Sequence, residues 1–334
     1  MSPPPHATEP TGIPPTPTPT PILAALPPLN LGKLMVTAQI DYIRAASLEN
    51  KVSLPIPENR VKWNRDLQEH QWKLTIQDPT RREIETVIDC LGDPHIDGLE
   101  VAVDFWPLPA LRGPQAQSLL FDTFIALGGR FRPDAKLLHG AGLKAAFNAA
   151  NKWARPFHHR LPIPGETLVY SHRSEGENAK LYLKTMDNGS DLPPEAHRVR
   201  LEVTVARHGA YERGIDRWSS VLEKNLRHTF GPIFCIVDRP EIRRPSRQTP
   251  DSTLELEERI QRAWDRAGVG AFDPGDLPVD ASRTAKEAAA YRTANLIALN
   301  AHRLRRHCEA NKAIGAALYN LDRRMAATFS RGPA

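Results

Sequence analysis

Two short runs, LEVAVDF at 99–105 and HRVRLEVTV at 197–205, alternate apolar and polar residues with a period of two. Only an extended strand sends successive side chains to opposite faces at that period. Leu99, Val101, Val103 and Phe105 then share one side of the first run, and Glu100, Ala102 and Asp104 the other. In the second run Val199, Leu201, Val203 and Val205 oppose Arg198, Arg200, Glu202 and Thr204. A third run, KLYLK at 180–184, sets Leu181 and Leu183 against Lys180, Tyr182 and Lys184. A chain with three such strands must bury one face of a sheet and leave the other loaded with ionisable groups.

The surrounding sequence completes an α+β pattern. KLMVTAQIDYIRAA and HQWKLTIQD read as strands. DPTRREIETVIDCLG reads as a helix capped by Asp78 or Thr80, stopped by Gly92, with Ile84, Val87, Ile88 and Leu91 on one face. AQSLLFDTFIALGG predicts a second helix, and GETLVYSHRS a strand before Tyr182. The expected fold is a mostly antiparallel sheet with packed helices, followed by an all-helical basic C-terminal region.

Composition shifts divide the chain. Residues 1–31 are rich in Pro and Thr and have little to bury, which predicts a disordered tail. Residues 32–240 form the α+β domain, 241–252 a Pro/Arg linker, and 253–331 the helical region. Between 284 and 331 there are nine Lys or Arg and three acids. The whole 334-residue chain carries 44 basic and 39 acidic residues, a net charge of +5 that suits a polyanionic partner. Cys90, Cys235 and Cys308 are too few and too scattered for a disulfide framework or a cysteine-rich zinc site. No apolar run approaches the roughly 20 residues that cross a bilayer, and the N-terminus lacks a signal-peptide pattern, so a cytoplasmic protein without membrane contact is expected. No phosphate-binding GxxxxGK[ST] loop occurs, which removes a built-in ATPase.

With the three strands in one sheet, Glu100, Asp104 and Glu202 can gather near Tyr182. Oxygen-only ligands suit Mg²⁺ or Mn²⁺ rather than zinc. A tyrosine hydroxyl, with a usual pKa of about 10, attacks at neutral pH only beside positive charge, from a metal or from Lys184. The plainer reading of the same residues is a solvated face with cross-strand ion pairs. Trp63, Trp72, Trp106 and Trp153 are core candidates, and an exposed one can stack a single-stranded base.

The segments GLEVAVDFW, ETLVYSHRSEGENAKLYLKTMDNG and HRVRLEVTV resemble the replication initiation factor family of rolling-circle plasmids and phages, which includes conjugative-element nickases. Glu100 and Asp104 match its acidic strand, Ser171, Arg173 and Ser174 its second element, Tyr182 and Lys184 its third, and Arg200 and Glu202 its last. Leu183 stands where the family often has an acid. The resemblance implies that Tyr182 cuts one DNA strand and keeps the 5′ phosphate, with Glu100, Asp104 and Glu202 as ligands of Mg²⁺ or Mn²⁺. Lys184 would assist catalysis, and Arg173, Lys180, Arg198 and Arg200 would contact DNA. It implies origin DNA, single-stranded or melted, as the partner, with a host helicase or polymerase and a homodimer as further assemblies. Arg303, Arg305 and Arg306 of the basic region are accessory DNA contacts, or else a solvated helix face. The rival readings are a non-catalytic DNA-binding regulator of replication or copy number on the same fold, and an interaction protein whose polar sheet face has no chemistry.

Overall fold

The computed structural model describes residues 25–67, 70–131, 137–142, 161–162, 165–172, 176–187, 189–239, 250–269 and 304–326. Most of the expected tail, Trp153, Arg173, Ser174, residues 241–249 of the linker, and residues 270–303 of the expected helical region, Arg303 among them, lie outside the described residues.

The strands are β1 (Leu34–Leu48), β2 (Val61–Arg65), β3 (Trp72–Gln77), β4 (Ile96–Pro107), β5 (Leu137–Gly142), β6 (Thr167–His172) and β7 (Glu177–Lys184). A small hairpin, β8 (Met186–Asp187) with β9 (Ser190–Asp191), precedes β10 (Arg198–Ala206). Among the described residues, eight strands form one sheet in the order β2-β3-β1-β4-β10-β7-β6-β5, and every pair is antiparallel. The fold is therefore α+β, as the strand and helix pattern predicts.

Period-two alternation decides which face is buried. Leu99, Val101, Val103 and Phe105 of β4 and Val199, Leu201, Val203 and Val205 of β10 are all completely buried. Each such apolar side chain contributes about 1.5 to 3 kcal/mol on full burial. They join one apolar cluster with Leu120 and Phe124 of α2 (Gly113–Gly128) and with Ile314, Leu318 and Leu321 of the C-terminal helix Cys308–Ala326.

That C-terminal helix is tied to the sheet as well as packed on it. Arg324 donates to the Ala38 carbonyl of β1, and Arg81 donates to the Met325 carbonyl. Asp322 accepts from the backbone N–H groups of Leu226 and Arg227 at 2.6 and 3.1 Å. Among the described residues, no helix is long and apolar enough to cross a membrane. The three cysteines are free thiols.

Helix α1 (Arg81–Leu91) starts as its sequence predicts, and the cap is Thr80. Thr80 Oγ1 accepts from the Glu83 N–H at 3.3 Å, while Glu83 Oε2 accepts from the Thr80 N–H at 2.7 Å. This reciprocal box satisfies two N-terminal donors that the helix itself leaves unpaired. Gly92 ends the helix with φ of +69°, a left-handed conformation that costs a glycine little.

Candidate active site

The registers of β1, β4, β10 and β7 place the polar residues in rows across the sheet. Met35 lies opposite Trp106, and Arg198 opposite Lys184. In the next row are Thr37, Asp104, Arg200 and Tyr182, followed by Gln39, Ala102, Glu202 and Lys180. The row beyond holds Tyr42, Glu100, Thr204 and Asn178. Tyr182, Lys180, Glu100 and Glu202 therefore meet on one face, which is the juxtaposition expected from alternation.

Asp104 does not join the acid cluster. It sits directly across from Arg200, whose Nε and Nη2 reach its two oxygens at 2.7 Å each, and Arg198 Nε lies 3.2 Å away. A carboxylate held by such a fork has its lone pairs engaged by arginine, and Asp104, expected as a metal ligand, stands outside the converging carboxylates. Arg200 also pairs with Asp41 through Nη1 at 2.5 Å and is fully buried, with 0% exposure. Burial alone would lower the Arg200 pKa, yet its bonds to Asp104 and the charges of Asp104 and Asp41 raise it. Arg200 is thus a permanent internal cation, and it has no exposed surface with which to contact DNA.

Asp41 takes the place expected of Asp104. Among the described residues, Asp41, Glu100 and Glu202 each bring a carboxylate oxygen within 4.8 Å of the others. The sequence carries a readable cause. Apolar positions of β1 run Leu34, Val36, Ala38, Ile40 and then shift phase to Ile43 and Ala45. The pairing of β1 with β4 slips between Ile40 and Tyr42, where a bulge inserts one residue. The phase change in QIDYIRA marks that bulge, and it was the available signal for Asp41 and Tyr42. Gly98 leaves space beside Tyr42, since a Cβ there would lie 2.9 Å from Arg44 Nη2 and 3.5 Å from the Tyr42 ring.

The electrostatics of the cluster are unusual for a solvated sheet face. Glu100 and Glu202 are buried, and Lys180 Nζ lies 3.6 Å from Glu100 Oε2 and 3.7 Å from Glu202 Oε2. Burial lowers the Lys180 pKa, but the charges of Glu100, Glu202 and Tyr42 and a hydrogen bond to Glu100 together raise it, so its net shift is upward. Thr204 Oγ1 donates to Glu100, and the Tyr182 hydroxyl donates to Glu202. Burial first, then the Glu202 charge and this hydrogen bond, push the Tyr182 phenol well above its ordinary value. The phenol is consequently protonated, with its proton aimed at a carboxylate.

Burial first, then the Glu202 charge, raise the Glu100 carboxyl to about 7, against the pull of Lys180. A carboxyl raised in this way holds its proton more tightly in the folded chain than in the unfolded one. Its contribution to the stability of the metal-free protein is expected to be lost as pH rises from about 4.5 to about 7, by on the order of 3 kcal/mol. Urea melts across that window should show Glu100→Gln gaining on the wild type as pH increases. Parallel pH curves for the two proteins would contradict the assignment.

The donor set fits a hard divalent cation. An ion with oxygen ligands at about 2.0 to 2.6 Å spans about 4 to 5 Å between opposite donors, and the three carboxylates converge on that scale. Ala102, opposite Gln39 and Glu202, contributes only a methyl group to the middle of this face.

The remaining predicted contacts are dispersed. Lys184 pairs with Asp187 at 2.9 Å, and Arg198 packs over the Trp106 ring at 4.4 Å. Arg305 and Arg306 are exposed and pair with Val237–Asp238 as a two-residue strand, apart from the eight-stranded sheet.

No protein-family model and no curated protein matches the sequence. Among solved structures, a rolling circle replication initiator protein from Geobacillus stearothermophilus aligns over 68% of this chain and 97% of its own, at 12% identity and a TM-score of 0.30. At that TM-score the two backbones diverge too far for the likeness to bear on chemistry.

Proposed function

We propose that this protein nicks and rejoins one strand of DNA through Tyr182, as an initiator of rolling-circle replication or transfer working in the cytoplasm. One observation carries the reading: the Tyr182 hydroxyl donates to Glu202, itself one of three converging carboxylates. The motif resemblance of the same strands to replication initiators supplies the substrate class.

The chemistry follows from these contacts. Tyr182 Oη attacks the phosphorus of a DNA phosphodiester, and Glu202 accepts the phenolic proton. The Oη–P bond forms, the P–O3′ bond breaks, and the departing oxygen takes up a proton as a free 3′ hydroxyl. Rejoining reverses the step when a 3′ hydroxyl attacks the phosphotyrosine. Lys180, 38% exposed at the rim of the cluster, is the cation best placed to meet the phosphate. Asp41, Glu100 and Glu202 would hold Mg²⁺ or Mn²⁺, which when bound would polarise the phosphate and favour the phenolate. Arg200 and Asp104 hold the strands in register beneath these groups. The C-terminal region, with Arg305 and Arg306 exposed on a short strand ahead of its helix, is an accessory DNA contact in this reading.

The test is a covalent one. Incubated with labelled single-stranded DNA from the replicon or element that encodes it, the purified protein should form a denaturation-resistant adduct with Mn²⁺ or Mg²⁺ and none with chelator. Protease digestion of the adduct should leave the DNA 5′ phosphate on the peptide that contains Tyr182. DNA binding without an adduct on origin-containing DNA would favour a regulator on the same fold.

A further inference from the structure

The row at one end of the polar face differs from the rest. Here Trp106 of β4 faces Met35 of β1, and Leu108 follows just beyond the strand. Met35 is 45% exposed and Leu108 37%, while Trp106 is half-buried. Large apolar groups of this kind occupy a sheet face whose neighbouring row is Thr37, Asp104, Arg200 and Tyr182.

The Trp106 ring is held in place from two sides. Its Nε1 donates to Thr37 Oγ1 at 2.9 Å, and the Arg198 guanidinium lies 4.4 Å from the ring centroid. Arg198 is itself fixed by Asp104 and by the Ala196 carbonyl at 2.9 Å. A ring locked in this way loses little entropy when a flat ligand settles on it. Lys184, opposite Arg198, ends the row and is held by Asp187 at 2.9 Å.

We propose that Met35, Trp106 and Leu108 form a stacking platform for one unpaired base of single-stranded DNA, next to the Tyr182 row. The inference rests on the nicking reading and adds to it the group that holds the strand. A base has an apolar face that suits the indole and thioether, while a flanking phosphate suits Lys180, two rows along the same face and 38% exposed. A duplex keeps its bases stacked on one another and offers no free face, so the platform selects single strands. Direct placement beside the Tyr182 row would hold a nucleotide adjacent to the phosphate under attack.

The experiment measures binding in chelator, where no nicking occurs, using the full-length protein. The probes are a short fluorescein-labelled oligothymidylate and an abasic oligomer of equal length, which has the same phosphates and no bases. Trp106→Ala is expected to weaken oligothymidylate binding about 5- to 100-fold, as loss of one base-stacking side chain does, and to leave the abasic oligomer unaffected. Trp106→Phe should retain most of the affinity, and Met35→Ala should lose a few-fold, which covers the case of Trp106→Ala failing to fold. Equal weakening toward both probes would assign Trp106 a purely structural role and overturn the platform. Unchanged oligothymidylate binding in Trp106→Ala would overturn it too, while the nicking reading would stand. A wild-type protein that bound neither probe would overturn both.

Discussion

Tyr182→Phe is expected to reduce covalent adduct formation by at least about a thousandfold, the scale on which removal of a covalent nucleophile acts. The substitution deletes one oxygen and keeps the ring on β7, opposite Arg200. Glu202 retains Lys180 at 3.7 Å and Arg200 at 3.7 Å after the hydroxyl is gone, so no buried carboxylate is stranded. The variant should therefore fold and bind single-stranded DNA while failing to cut it, which separates chemistry from affinity. An adduct that survived in Tyr182→Phe but vanished in Tyr42→Phe would move the nucleophile across the cluster to β1. Tyr42 lies opposite Glu100, and its phenol is likewise raised by burial first and by Glu100 next.

Arg200→Ala is expected to cost about 3 to 5 kcal/mol of folding stability, because it leaves buried carboxylates without their cation. Asp104 loses both 2.7 Å bonds of its fork, and Asp41 loses its 2.5 Å partner. For a domain of this size the melting temperature should fall by roughly 6 to 20 °C. Replacing Arg200 and Asp104 together by Met and Leu should recover part of that loss, since the forked pair then leaves neither member unpaired, while Asp41 and Arg198 each lose one partner. Thermal and urea melts read both variants. A loss below about 1 kcal/mol for Arg200→Ala would show that solvent reaches this pair and that the buried ion-pair account is wrong.

These two results bear on different layers of the same face. Arg200 and Asp104 act as an internal clamp, whereas Glu100, Glu202, Asp41 and Tyr182 form the group whose protons and lone pairs are positioned for reaction. The arrangement explains why carboxylates that look equivalent along a strand differ in use. Asp104 faces a fork of donors, while Glu100 faces Thr204 and one shared lysine.

The strand alternation alone determined that β4, β7 and β10 would each have one apolar and one ionisable face, because side-chain direction on an extended chain has no other period. It also put Glu100, Glu202, Lys180 and Tyr182 on the polar side, and the DPTRRE segment placed the start of α1 at Asp78 or Thr80, between which the structure chose Thr80. Pairing register was a different matter. Which carboxylate meets which cation depends on strands distant in sequence, and Arg200 lands opposite Asp104 only when β10 is docked on β4 in one of several offsets. The bulge after Ile40 then turned Asp41 into the third member of the cluster, a place that alternation in LEVAVDF had pointed to Asp104. Local sequence sets the direction of each side chain, but neighbours across a sheet are chosen by packing of the opposite, apolar face, and that choice belongs to the tertiary structure.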